Sequence, residues 1–255
     1  MPRPTLARSI MLLALGASVA LGACRDWASY DPRIGGGGSG GSSGSSGSSS
    51  SSSSVGGGGG GDSGVACSLP LMDTFNAQAI GNLWGKQTNA GGLISVANQK
   101  LVLTLPNTMA GSGAYIVSTS SYDLTGCRGS VSLSQLPSLT TKALALFALQ
   151  YDVDNSIVLL ESEGNLQAKK RITGGETIVK TIPYNPVDHA YLGISELGGE
   201  VRWEASPDGK TWTILAHEPN WLPSSKVHLK IGSSTYQVEP SAPGETHFDD
   251  VDIVP

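Results

Sequence analysis

"VRWEASPDGKTWTIL", Val201 to Leu215, reads as two β-strands and the turn between them. Val201, Trp203 and Ala205 alternate with Arg202, Glu204 and Ser206, the period-two pattern of a strand with one buried face, so Trp203 is read as core. Ser206-Pro207-Asp208-Gly209-Lys210 supplies turn chemistry, with Pro pre-set for the second position and Gly able to take a positive φ. The register across it stays open. A three-residue loop puts Trp203 and Trp212 on opposite faces, and a four-residue loop puts them on one face with Ile214. Trp212 is read first as a packing residue and second as a ligand contact.

The same grammar runs outward in both directions. "KLVLTL", "AYIVST", "ALALFALQY", "SIVLLE", "NLQAKKRI", "ETIVKTI", "AYLGISE" and "KVHLKI" are β-rich runs of strand length, separated by Gly, Pro, Asn or Asp. No stretch carries a convincing helical period. Short strands without long crossovers predict an all-β, antiparallel sandwich or barrel.

From Leu71 to Val254 the chain resembles the concanavalin A-like jelly-roll domains of secreted bacterial proteins, a group with laminin-G-like modules, lectins and glycanases. The resemblance is carried by "DTFN" and "LWGK" within Asp73 to Lys86, "GGLISVANQKLVLTLP" (Gly91 to Pro106), "ESEGNLQAKKRI", "VRWEASPDGKTW" and "FDDVDIV" (Phe248 to Val254). It implies a two-sheet jelly-roll sandwich whose first and last strands lie together. Function is not implied by fold alone.

Glucanases of this fold carry Glu-x-Asp-x-x-Glu or Glu-x-Asp-x-Glu on a strand, where alternation sets the carboxylates on one face at a spacing suited to retaining hydrolysis. The nearest match is "ESEGNL". Glu161 stands at the nucleophile position and Glu163 at that of the Asp, but Leu166 or Asn165 occupies the acid/base position. Gly164-Asn165 reads as a hairpin turn, which leaves both glutamates solvated at its end. The expectation is that the chain is not an enzyme and has no catalytic residues. His189, His217, His228 and His247 show no ligand spacing, and no cofactor is expected. Asp152 and Asp154, with Asp249 and Asp250, are weak candidates for a structural calcium, since hard oxygen ligands suit that ion. Trp221, between Pro219 and Pro223, is the leading candidate for a ligand contact, with Asn220 beside it, because loop aromatics on a rigid scaffold are where binding residues concentrate.

Met1 to Ala23 reads as an export signal: Arg3 and Arg8 precede the apolar run Ile10 to Leu21, too short for a spanning helix. Its end, Leu21-Gly22-Ala23-Cys24, resembles the lipobox of bacterial lipoproteins. That implies lipidation of Cys24 and, with Arg25 following, an outer-membrane lipoprotein facing the periplasm or the cell surface. Residues 24 to 64 then form the lipidated N-terminus and a linker in which Gly35 to Gly64 is glycine and serine but for Val55 and Asp62. That composition cannot offset the entropy of ordering, so it reads as a disordered tether spanning roughly 30 Å. The folded domain is 65 to 255. With Cys24 lipidated, Cys67 and Cys127 are left as a disulfide pair in an oxidising compartment, worth roughly 4 kcal/mol in loop entropy. The net charge of −5 argues against nucleic acid and anionic lipid surfaces as partners. The basic run Lys169-Lys170-Arg171 reads as a solvated face. Together these features point to a lipid-anchored envelope protein that binds glycans without cleaving them. The alternatives are a glycan-active hydrolase or lyase with a different catalytic set, and a structural envelope lipoprotein.

Overall fold

The computed structural model describes residues 67, 70–106, 111–138, 142–238 and 241–255. The signal region 1–23, Cys24 and the linker 24–64 lie outside them. Fifteen strands form along the described chain. The first eight are β1 (Met72–Asp73), β2 (Trp84–Asn89), β3 (Leu93–Ala97), β4 (Lys100–Leu105), β5 (Gly113–Ser118), β6 (Arg128–Gln135), β7 (Ala143–Gln150) and β8 (Ser156–Ser162). They continue as β9 (Asn165–Ile172), β10 (Gly175–Pro183), β11 (Tyr191–Leu197), β12 (Glu200–Ser206), β13 (Thr213–Pro219), β14 (His228–Thr235) and β15 (Gly244–Val254). A single 3-10 turn, Ser224–Lys226, is the one helical element among the described residues.

All pairings between the named strands are antiparallel. One sheet has eight strands in the order β13-β12-β11-β6-β15-β4-β3, with β1 added on β15. The other has seven, β10-β9-β8-β7-β14-β5-β2. This is the jelly-roll sandwich, and its first and last strands do pair, Met72 opposite Asp252. Inward-facing residues of both sheets make one core: Leu101 and Leu103 from β4, Phe147 from β7, Leu159 from β8, Ile194 from β11 and Phe248 from β15 are each fully buried. Trp203 sits at its centre, and its indole Nε1 donates to the backbone carbonyls of Val158 and Lys169 at 3.0 and 3.2 Å, so burial leaves no orphaned donor. Cys67 and Cys127 are disulfide-bonded, with Cα atoms 6.0 Å apart, which ties the start of the domain to the head of β6.

The turn at 206–210 is longer than either register considered. Strand β13 begins at Thr213, and Ser206 Oγ accepts the amides of Asp208 and Gly209. Asp208 accepts those of Lys210 and Thr211, bonds that hold its carboxyl down at about 2. A bulge between Trp203 and Glu204 places Trp203 opposite Ala216 and Glu204 opposite Ile214. The two tryptophans consequently face opposite sides of the eight-stranded sheet.

Candidate functional site

Strand parity in the seven-stranded sheet sends Ala145, Phe147, Ile157 and Leu159 into the sandwich and leaves Leu144, Leu146, Ala148, Val158 and Leu160 as a second buried apolar cluster on the outer face. Register lines that outer face up in rows across the strands. One row runs Gln87, Tyr115, Gly232, Leu146, Leu160, Gln167. The next runs Gly85, Val117, Lys230, Ala148, Val158, Lys169. A third carries His228, Gln150, Ser156, Arg171 and Glu176.

Tyr115 lies down on this face because nothing stands beneath it. A Cβ on Gly232, or one on Gly113, would collide with its ring, so glycine at both positions, one on β14 and one on β5, lets the ring lie against the sheet. Lys230 Nζ is 4.7 Å from the ring centroid. Burial, and then the charge of Arg171, pulls the Lys230 ammonium down to about 8. This face carries polar atoms left without partners: Gln87 Oε1 and Asn89 Oδ1 on β2 beside the ring, and Nε and Nη1 of Arg171 four strand steps away on β9, together four of the seven orphaned buried side-chain atoms among the described residues. Such groups are ordinarily satisfied in a folded protein.

The basic run is not a solvated face. Parity splits it: Lys169 and Arg171 share the outer face, and Lys170 turns the other way to Glu218 at 2.6 Å. The Arg171 side chain is 7% exposed. Two carboxylates bordering this face, Glu176 and Glu163, are held by Lys169 at 3.0 Å and by Lys142, and Asp154 lies against the turn between β9 and β10.

Of the "ESEGNL" glutamates, Glu163 is exposed at the hairpin end as expected, and Glu161 is not. The turn is Glu163-Gly164, both at positive φ, one residue earlier than read. Glu161 then falls on the inward face, 1% exposed, with Gly164 N–H donating to Oε1 at 2.9 Å. Burial pushes its carboxyl up to about 7, and burial, followed by the charge of Glu161, raises the Tyr184 phenol to about 12. Leu166, also buried, faces the same core. Glu161 and Leu166 therefore face the interior while Glu163 stays exposed at the turn, and the missing acid/base residue says nothing about chemistry on an outer face.

The other residues singled out in the sequence are spread over the molecule. Trp221 is half-buried against the core with its Nε1 unpartnered. Asn220 spends its amide on its own loop, donating to Ser224 Oγ and accepting from Leu222 N–H. Trp212 lies on the outer face of the eight-stranded sheet over Gly193, with the Arg128 guanidinium 4.5 Å from the ring centroid. Glu204 grips that guanidinium at 2.6 and 3.3 Å. Asp152 accepts from Asp154 N–H and the Asn155 amide within one turn, while Asp249 caps Asp250 N–H. Among the described residues no three His, Cys, Asp or Glu side chains gather as metal ligands. Tyr115, Gln87, Asn89 and Lys230 were not singled out by sequence, and Arg171 only as part of the basic run. The one available signal was the glycine alternation of "GSGAY".

No family model and no curated protein matches this chain. Solved structures do. The apo Crh5 transglycosylase aligns with a TM-score of 0.51 at 12% identity, covering 72% of this chain and 82% of that one. The Bacillus licheniformis β-glucanase aligns with a TM-score of 0.53 at 10% identity over 73% and 98%. LamAcat from Zobellia galactanivorans does so at 0.54 and 12% over 72% and 96%. At such identities the likeness is one of fold. It nevertheless corrects the expectation that the chain is not an enzyme: that expectation rested on Leu166 in a motif now seen to face the core, while the sandwich is one shared with a glucanase and a transglycosylase.

Proposed function

We propose that this chain is a lipid-anchored, glycan-active protein of the bacterial envelope, a hydrolase or transglycosylase whose polysaccharide lies across the outer face of the seven-stranded sheet. The observation that carries the reading is the Tyr115 ring, laid against Gly113 and Gly232 with the unpartnered amide oxygens of Gln87 and Asn89 on the same face. A flat aromatic surface with adjacent acceptors matches a pyranose, which offers an apolar ring face and hydroxyl donors at its rim. The fold shared with a β-glucanase and a transglycosylase supports the same class. Anchoring rests on the Leu21-Gly22-Ala23-Cys24 run and the Gly/Ser segment behind it. An anchored domain on a flexible tether can work along polysaccharide around the cell.

The test uses the full chain against a panel of envelope and extracellular polysaccharides, scoring retention, release of reducing ends and transfer to labelled oligosaccharide acceptors. Binding in the micromolar to millimolar range is expected, about −8 to −4 kcal/mol. Tyr115→Ala should weaken it about tenfold or more while the protein stays folded, because the ring packs on the smaller outer cluster and not in the core between the sheets. A panel with neither retention nor turnover overturns the reading. For the anchor, Cys24→Ser should move the protein from the membrane fraction to the soluble one, and unchanged membrane association would refute lipidation.

A further inference from the structure

The outer face of the seven-stranded sheet is cationic in a chain whose net charge is −5. Arg171 brings two buried guanidinium nitrogens that lack hydrogen-bond partners. Its nearest carboxylate oxygen, Glu176 Oε1, stops at 3.9 Å from Nη1, beyond hydrogen-bond reach, and Glu176 Oε2 is already bonded to Lys169 at 3.0 Å. Lys230 is 4% exposed, and the charge of Arg171 is felt at its ammonium. Two buried like charges on one face disfavour each other, and the apolar floor of Ala148 and Val158 beside them does little to screen the repulsion.

Resting on the glycan reading above, we infer that the glycan is an anionic one, and that a carboxylate or sulfate on it seats against Arg171 near Lys230. The guanidinium fork bonds either oxyanion in bidentate fashion, and an anion placed there relieves the repulsion between the two cations. The rest of the face specifies what carries the charge. Gln87 Oε1 and Asn89 Oδ1 are acceptors that call for hydroxyl donors, which a fatty acid or a bare anion does not offer at that distance. From β2, which bears Gln87, to β9, which bears Arg171, the sheet order is five strand steps, about 24 Å at about 4.8 Å each. A ligand satisfying both ends is a chain of several sugars bearing hydroxyls at one end and charge at the other.

Matched pairs of glycans test this with the full chain: polygalacturonate against its methyl ester, and a sulfated galactan against its desulfated form. The charged member should bind about tenfold tighter or more, an advantage that shrinks several-fold between about 0.05 M and about 0.5 M NaCl. Arg171→Gln should erase the advantage while binding of the neutral member stays within about twofold, and Glu176→Gln, which removes the competing carboxylate, should enlarge it. Preference within one pair alone identifies the oxyanion as carboxylate or sulfate. Equal affinity for charged and neutral members overturns the inference and leaves the glycan reading standing. Absence of binding to every glycan overturns both. Micelles of a long-chain fatty acid that compete as strongly as the charged glycan overturn it in favour of an amphiphile. Should Arg171→Gln lower the melting temperature sharply, Glu176→Gln decides, and no gain in affinity for the charged member counts against the inference.

Discussion

Both outer faces of the sandwich lay an aromatic ring where a glycine leaves room, Tyr115 over Gly232 on one and Trp212 over Gly193 on the other, yet their surroundings are opposite in kind. Around Trp212 the charges are closed: Arg128 lies against the ring and is gripped by Glu204, and Asp252 is bonded by Ser130. One orphaned atom, Arg202 Nε, lies on that face. On the Tyr115 face, Gln87 and Asn89 beside the ring and Arg171 four strand steps away each hold side-chain atoms without partners. Aromatic content does not distinguish the two, and polar satisfaction does. A ring in a completed network is a piece of structure, whereas a ring on a face with unsatisfied donors and acceptors is the one on which the proposed glycan is placed.

The contrast can be broken at several points. The largest effect is expected from Glu161→Gln, which tests the interior between the faces. The Glu161 carboxyl is raised from about 4.5 to about 7, so the folded protein holds a proton there that the unfolded chain gives up; stability is full below pH 4.5 and falls as pH rises through 7. Thermal melts from pH 5 to pH 8 should show the parent losing about 3 kcal/mol relative to the variant, with glycan affinity untouched. An identical pH profile for the two proteins would put Glu161 in solvent. On the closed face, Arg128→Ala leaves Glu204 buried and unpaired, and denaturant titration should register a loss of about 2 to 3 kcal/mol. That is less than for a fully enclosed pair because Arg128 keeps 23% of its side-chain exposure. A loss of glycan affinity in this variant would make the closed face a ligand face as well. Next come Gly232→Ala and Gly193→Ala, each driving a Cβ into a ring, at about 1 to 3 kcal/mol of stability. Only Gly232→Ala should also cost binding. The smallest effect is assigned to Trp212→Ala, whose glycan affinity should stay within about twofold of the parent; a tenfold loss would abolish the distinction between the faces.

Most of the fold was legible because alternation and turn residues carry it locally. Trp203 between Val201 and Ala205 announced its own burial, and the pairing of the terminal strands followed from the family resemblance. Parity failed where both faces of a strand are apolar. In "SIVLLES" the series Ile157, Leu159, Glu161 and the series Val158, Leu160, Ser162 are equally apolar at their first two positions, so nothing local told which way Glu161 points. The register at Asp208 was hidden by the bulge opposite Leu215, and bulges leave no fixed residue signature. Tyr115 was invisible for a different reason. Its placement depends on Gly232, a residue far along the chain that becomes its neighbour only when β14 pairs with β5. Arg171 looked like one of three basic neighbours until the pleat separated it from Lys170.

The bond between Cys67 and Cys127 also decides how the domain responds to being pulled. Strand β1 has two residues and would peel away under slight tension, but Cys127 immediately precedes β6, which is hydrogen-bonded on both sides, by β11 and β15. Force arriving along the chain ahead of Cys67 is therefore delivered to an inner strand and shared in shear across the sheet. That grip is on the eight-stranded sheet, opposite the one bearing Tyr115, so a tug from the N-terminal side leaves the Tyr115 face out of the line of load.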